Sequence, residues 1–409
     1  MTKMGLGGRH LMVVAAMCGL AIATVGLTTN VAGLFFSPMA DEFGVLKGQA
    51  SLTLTISNVC VALGGLATRR LTKLVSWRTL VVSCTTALVA STAGIAQAPS
   101  IGLVYVLCAL RGLTGGVIGF VLVTYVLNKW FVSQLGLMTS IAMGSSGLAG
   151  AIFCPVIQPV IDTLGWRAGQ VVVAGLTLAF CLPAILVVPS ADPLEAGLAP
   201  FGATPTDATP KSQGRKPPVR VNHVIVAGVV LYAVLSAAVS AMPQHFPGFA
   251  EEVGLGTGIG AAMISASMVA NTAGKILMGW LCDRIGAKAS IMAYTALVGA
   301  SIAALLLVHV SAAFVAAAFL FGLCYSRATV GLSMMCREVF GKRGFGVVYP
   351  VAALGCSLSN AVFSSAVGFA FDLTGGYTVS LVAFGAFLAG SAVLVAWCYA
   401  NARRAVLGA

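Results

Sequence analysis

The sequence predicts an all-α membrane protein whose twelve transmembrane helices form two six-helix bundles related by a parallel repeat. Three observations carry this reading. Of the 409 residues, 59% are hydrophobic and 8% charged, against roughly 25% charged in soluble domains. A spanning helix needs about 20 apolar residues, and twelve such stretches follow one another at 11–36, 50–68, 79–97, 101–127, 136–160, 169–189, 221–245, 257–281, 289–308, 310–335, 345–371 and 377–400. Third, the cations are partitioned. With the amino terminus inside, the segments on that side hold 18 of the 23 Lys and Arg, and only Lys47 and Arg167 fall on the other. That split obeys the positive-inside rule and places both termini in the cytoplasm, at the plasma or inner membrane. The net charge of +12 therefore reflects topology, and no nucleic-acid partner is expected.

The first stretch follows Met1 to His10, with Lys3 and Arg9, and lacks the short apolar core and cleavage site of a signal peptide, so it reads as a retained helix. It carries Asn30 between Gly26 and Gly33. This amide either bonds across to a neighbouring helix at a small-residue contact or faces a cavity. The second stretch closes into a basic turn holding Gly65, Arg69 and Arg70. The fourth carries Arg111 among Gly112, Gly115, Gly116 and Gly119, with Tyr125 further along. A cation at that depth requires a wet cavity or a partner. From Pro189 to Arg220 the chain has seven prolines and no apolar periodicity, which marks a cytoplasmic linker over 190–220 between a bundle at 1–189 and another at 221–409. Landmarks recur across it: 279 − 65 = 214 for Gly65 and Gly279, 340 − 131 = 209 for Phe131 and Phe340, and 372 − 162 = 210 for Asp162 and Asp372. A near-constant offset indicates a duplicated six-helix unit of unchanged orientation.

The chain is organised around Ser265 to Lys288. Ser267, Asn271 and Lys275 lie at successive i, i+4 positions, hence on one helical face. A lysine in the hydrocarbon costs about 3 kcal/mol on insertion scales, so Lys275 faces water or snorkels to the surface. Gly279, Asp283, Arg284, Gly286 and Lys288 form a charged turn beyond it. In the tenth stretch Arg327 precedes Arg337 by ten residues, about 15 Å of helix, close to the midplane. In the eleventh, Tyr349, Cys356 and Asn360 share a face.

Three cations thus lie within the spans, and all eleven carboxylates lie in loops or at span ends. A positive cavity without an acid needs water, carbonyls or a bound anion as its counter-charge. An anionic substrate is expected, and a cation pump is disfavoured. The eleven cysteines are scattered singly, without CxxC pairs, and read as small apolar residues; His10, His223, His245 and His309 read as interfacial, with His245 singled out by Pro243 and Gln244 beside it. No metal or cofactor is called for. Gly254 to Gly260 is a glycine-rich outer loop, since no strand precedes it and GxGxxG is not met. No Walker, HExxH or GxSxG sequence occurs, so nothing points to an enzyme.

The G-x-x-x-D-R-x-G-x-K turn at Gly279 to Lys288, its degraded partner after Gly65, and the Arg111-centred fourth span resemble the major facilitator superfamily. F-F-S-P-M-A-D-E-F-G, N-K-W-F, L-G-W-R, N-T-A-G-K-I-L-M-G-W-L-C-D-R-I-G and F-D-L-T-G-G-Y resemble its oxalate:formate antiporter and monocarboxylate porter branch. The resemblance implies that the Lys275 position, usually arginine in that branch, holds the substrate carboxylate. Lysine keeps the charge and loses the bidentate fork. Dicarboxylate members carry a second cation in the eleventh span, which is lacking here, and Arg327 is an extra cation in the tenth.

The expectation is a monomeric secondary transporter of a small organic anion, a monocarboxylate, working by alternating access. Lys275, Arg327, Asn271 and Arg111 are the candidate ligands; Asn30, Tyr125, Tyr349 and Asn360 would shape a central cavity. Coupling would use protons or a counter-anion. A drug-like exporter on the same fold and a non-transporting membrane sensor are the alternatives.

Overall fold

The computed structural model describes residues 8–132, 134–188, 190–202, 220–307, 311–402 and 406–407. Helices dominate: α1 (Gly8–Ala21), α2 (Phe36–Phe43), α3 (Lys47–Leu74), α4 (Trp77–Ile95), α5 (Ile101–Ile118), α6 (Phe120–Trp130) and α7 (Leu135–Leu186) come first. After the two-residue strand β1 (Arg220–Val221) follow α8 (His223–Val239), α9 (Phe246–Glu252), α10 (Thr257–Leu307), α11 (Ser311–Gly322), the single turn α12 (Cys324–Ser326), α13 (Leu332–Thr374) and α14 (Thr378–Ala400). A short β2 (Val406–Leu407) pairs antiparallel with β1. Among the described residues, ten helical segments are long and apolar enough to cross a membrane. Two of them, Leu137–Leu186 and Thr257–Leu307, have 50 and 51 residues, about twice what a bilayer needs. Each is interrupted by a left-handed glycine, Gly165 at φ 82° and Gly286 at φ 82°, a conformation in which a Cβ would clash with the following carbonyl. The chain therefore turns at these positions.

By internal contacts the chain divides into one unit of Met1–Ala32 with Ile56–Arg215 and a second of Gly33–Thr55 with Lys216–Ala409. The first has an apolar core from α1, α4, α6 and α7 that includes Met17, Leu20, Leu88, Val126, Trp130 and Cys181. Helix starts are capped locally: Ser76 Oγ accepts from the Thr79 amide and Ser100 Oγ from the Leu103 amide. The Arg167 guanidinium donates to the carbonyls of Ala96 and Ala98 at 2.8 and 2.9 Å, where α4 ends and its carbonyls lack helical partners. The front of the segment read as a linker is folded. Phe201 is buried and exchanges backbone hydrogen bonds with Trp130 and Val132, and His10 packs edge-on against Trp130 and Phe131. Two aromatic anchors, His10 and Phe201, supply the apolar contact that the proline content concealed. Residues 203–219 lie outside the described set.

In the second unit a local pattern recurs. A 3-10 turn, Ala32–Phe35, leads into α2, which ends at Gly44 with φ 62°; a 3-10 turn, Met242–His245, leads into α9, followed by Gly254 with φ 74°. The separation, 246 − 36 = 210, equals that of Asp162 and Asp372, and Phe36, Ala40, Glu42 and Gly44 are matched by Phe246, Ala250, Glu252 and Gly254. Both turns cross closely. The Gly33 amide donates to Gln244 Oε1 at 3.1 Å, and a Cβ on Gly33 would lie 2.0 Å from the Gln244 carbonyl oxygen.

His245 corrects the interfacial expectation. It is buried, with Nε2 2.7 Å from the Ser364 carbonyl and its ring 5.4 Å from Phe36 and 5.8 Å from Tyr377. A backbone partner and two aromatic faces satisfy it where a membrane boundary would otherwise be needed. His309 lies outside the described residues.

Three carboxylates cap helix starts from distant parts of this unit. Asp372 accepts from the amides of Lys47 and Gly48 at 3.0 and 2.6 Å, at the start of α3. Glu252 accepts from the Tyr377 amide at 3.0 Å, beside the start of α14. Glu338 accepts from the Ala287 amide at 2.9 Å, where α10 resumes after Gly286, and from the Tyr399 hydroxyl at 2.6 Å. Charge-assisted bonds to the positive end of a helix are stronger than neutral ones. Asp372→Ala is expected to destabilise the protein by about 1–2 kcal/mol, read as a lowered melting temperature of the purified protein. Asp372→Asn, which keeps an acceptor, should lose less.

Candidate functional site

The three intramembrane cations occupy three different environments. Lys275 lies on α10, whose burial follows its helical spacing: Ser267, Asn271, Gly274 and Met278 are turned inward. The Lys275 side chain is half-buried and, among the described residues, makes no hydrogen bond or ion pair. One turn earlier, a rise of about 6 Å, Asn271 is 8% exposed. Its Nδ2 has only a long contact of 4.0 Å to Met268 Sδ, and its Oδ1 has no partner. Ser267, a further turn back, is satisfied internally by the Ile264 carbonyl. The Ser267–Asn271–Lys275 stripe therefore presents an unpaired ammonium and an under-bonded amide side by side.

Arg327 is placed elsewhere. It opens a π-helical turn, Arg327–Gly331, and is 0% exposed. Its Nη2 donates to Ser391 Oγ on α14 at 2.6 Å, while Nε and Nη1 have no partner. Arg111 on α5 is 6% exposed; Nη2 reaches only the Cys108 sulfur, at 3.7 Å, and Nε is unpaired. Neither guanidinium meets a carboxylate: the ion pair found among the described residues is Lys129–Asp192.

The remaining expected residues scatter. Asn30 donates from Nδ2 to the Ser146 carbonyl at 2.8 Å, and its own carbonyl accepts from the Cys154 thiol, so it ties the first helix to α7. Tyr349 stacks on Phe345 at 4.9 Å. Asn360 is half-buried with no hydrogen bond, whereas Cys356 donates to the carbonyls of Ala233 and Ala328. Tyr125 lies at the basic-loop end of the first unit, where it lines a cavity of about 150 Å³ with Ser76, Trp77, Lys129, Asp192 and Glu195. In the charged turns, Gly65 is half-buried and Arg70 exposed, and the side chain of Arg69 lies outside the described set. Gly279 is half-buried; Asp283, Arg284 and Lys288 are exposed, with the Arg284 guanidinium 4.2 Å from the centre of the Trp280 ring. The group that organises this turn is Glu338, and the sequence reading passed over it. The signal available was its place beside the Phe340 landmark; a cap reaching across 51 residues has no local spacing to betray it.

Residues 18–270 match the Major Facilitator Superfamily. The chain belongs to that superfamily. The ten long apolar helices among the described residues fit the multi-pass membrane architecture of that superfamily. Within the superfamily its relatives are monocarboxylate porters: monocarboxylate transporter 13 of Rattus norvegicus is 24% identical over 276 residues, 66% of this chain and 61% of that protein. The Bos taurus form is 25% identical over 284 residues, with the same coverage. Monocarboxylate transporter 12-B of Danio rerio is 26% identical over 314 residues, 68% of this chain and 62% of that protein. The matches thus span about three fifths of those relatives. A bacterial homologue of the human lysosomal transporter Spinster shares the fold. In an inward-facing, occupied state it superposes with TM-score 0.66 at 13% identity over 97% of both chains. In an inward-facing, unoccupied state the values are 0.68 and 14%, over 98% of this chain and 99% of that one.

Two predictions follow from the polar geometry. An unpaired, partly desolvated ammonium contributes nothing to folding, so Lys275→Ala should melt at the same temperature as the wild type or higher; a clear drop would mean that the lysine has a structural partner. At Asp192, the hydrogen bond from Lys129 holds the carboxyl below its usual range. Because its folded-state pKa is the lower one, the pair stabilises fully above the unfolded carboxylate pKa and loses that contribution as pH falls through the folded value. Their side chains are 35% and 25% exposed, which limits the effect to under about 1 kcal/mol. Lys129→Ala should cost that little at neutral pH, and the difference should vanish in acid, as read by melting curves at several pH values.

Proposed function

We propose that this protein is a secondary active transporter of a small organic anion, a monocarboxylate, and that Lys275 with Asn271 holds the substrate carboxylate. The observation that carries the reading is the unpaired ammonium of Lys275 on a transmembrane face, next to an amide with unused hydrogen-bonding capacity. A carboxylate supplies the missing counter-charge and accepts from both groups, and charge-assisted bonds of this kind are the stronger class. Kinship with monocarboxylate transporters supports the substrate class.

Counting each half of the two glycine-broken helices, the chain makes twelve crossings as two six-helix bundles in the cytoplasmic membrane, with both termini in the cytoplasm. It works by alternating access. Coupling is by proton symport or by exchange for another anion, since lysine can give up its proton and arginine cannot. Within the second unit Tyr349 and Asn360 belong to the wall of the pathway that Lys275 faces, and the turns at Gly65 and Gly279 each serve gating in their own unit. Export of hydrophobic compounds and a sensor role are the competing readings. The first predicts activity that survives loss of the buried cations, the second ligand-dependent stabilisation without flux.

The test is uptake of labelled lactate or pyruvate into proteoliposomes. Lys275→Ala is expected to lower uptake at least about tenfold, the loss of one charge-assisted contact of roughly 1.5–3 kcal/mol. Lys275→Arg should retain it in part. Undiminished uptake by Lys275→Ala would reject the site.

A further inference from the structure

Arg327 poses a problem that the substrate site does not solve. It is 0% exposed, yet a guanidinium stays protonated in proteins. Its protein contacts are neutral. Ser391 Oγ accepts from Nη2 while donating its own proton to the Leu388 carbonyl, and the Tyr232 hydroxyl donates to the Arg327 carbonyl, leaving the guanidinium untouched. Nε and Nη1 remain without partners. Ser326 next to it, and Ser236 one turn along α8 from Tyr232, are also fully buried. The π-helical turn that begins at Arg327 is a further departure from regular geometry of the kind found at functional positions. The unused N–H donors of Nε and Nη1 belong to one full positive charge, and no acid approaches it among the described residues.

We propose that Arg327 anchors an occluded site for a small monovalent inorganic anion of halide size, separate from the Lys275 site and built by α8, α14 and the π-turn. Water would occupy the donors but supply no charge, and a buried charge is stable only when it is paired. The occupant is small because Arg327 has no exposed surface through which an organic acid could reach it. It is monovalent because one charge is uncompensated. The bound anion cements α8, the π-turn and α14, and the protein is more stable in its presence.

The test is thermal unfolding of the purified full-length protein in sodium chloride, sodium bromide and sodium methanesulfonate, a reference anion without a carboxylate, at constant ionic strength. Chloride and bromide are expected to raise the melting temperature saturably over methanesulfonate. The shift should persist in Lys275→Gln and disappear in Arg327→Met, which removes the charge while preserving volume. A missing shift in the wild type, or one that survives in Arg327→Met, overturns the proposal. A shift abolished by Lys275→Gln instead assigns the halide to the transport site, overturning this inference without touching the substrate reading. Should Arg327→Met not fold, wild-type crystals grown in bromide decide. An anomalous peak within hydrogen-bonding distance of Nε and Nη1 supports the site, and ordered water only at that position overturns it.

Discussion

The constraint on which this structure depends is that the first amides of every helix have no partner within the helix. Side chains at the span ends supply the partners at several of these starts. Serines and an asparagine do this locally for α4, α5 and α8. For α3, for α14 and for the resumption of α10 the partner is a carboxylate brought from another part of the second unit, namely Asp372, Glu252 and Glu338. The acids of this chain are few, and these three serve helix ends. Among the described residues none pairs with Lys275, Arg111 or Arg327.

That distribution shapes the electrostatics. Where an intramembrane cation has no acid, its fate depends on whether it can lose its proton and whether anything can reach it. Arg327 and Arg111 can do neither freely, being enclosed and permanently charged. Lys275 is half-buried, titratable and unpaired. Burial therefore sorts the three, which sequence spacing treated as one cluster, into two fixed charges inside the helical packing and one that can engage a transient partner.

How much of this could be read beforehand depends on the range of the interaction. Apolar stretches of spanning length are unmistakable because the bilayer tolerates little else, so the helices and their order were legible. The i, i+4 stripe of Ser267, Asn271 and Lys275 was legible for the same local reason; Ser267 and Asn271 are buried and Lys275 is half-buried. Long-range satisfaction was not. His245 was expected at an interface but finds its partners 119 residues away at Ser364 and in the rings of Phe36 and Tyr377. The fold of residues 190–202 depends on Phe201 meeting Trp130, which no periodicity announces. The 210-residue echo of α2 in α9 was visible in Phe36, Glu42 and Gly44 against Phe246, Glu252 and Gly254, but was obscured because the intervening residues differ.

The choice of lysine at position 275 bears on what the proposed site can accept. An ammonium is a compact point charge on a flexible stem, whereas a guanidinium fork fixes a carboxylate in one plane. A single accessible ammonium neutralises one carboxylate. A dianion bound there would carry its second charge into a weakly polar environment with Asn271 as the only neighbouring donor on the stripe, and an unpaired buried charge costs several kcal/mol. Arg327 cannot relieve that cost, because it is sealed within the second unit and already bonded to Ser391. Discrimination against dianions by the proposed site then rests on Lys275 alone and needs no repulsive group.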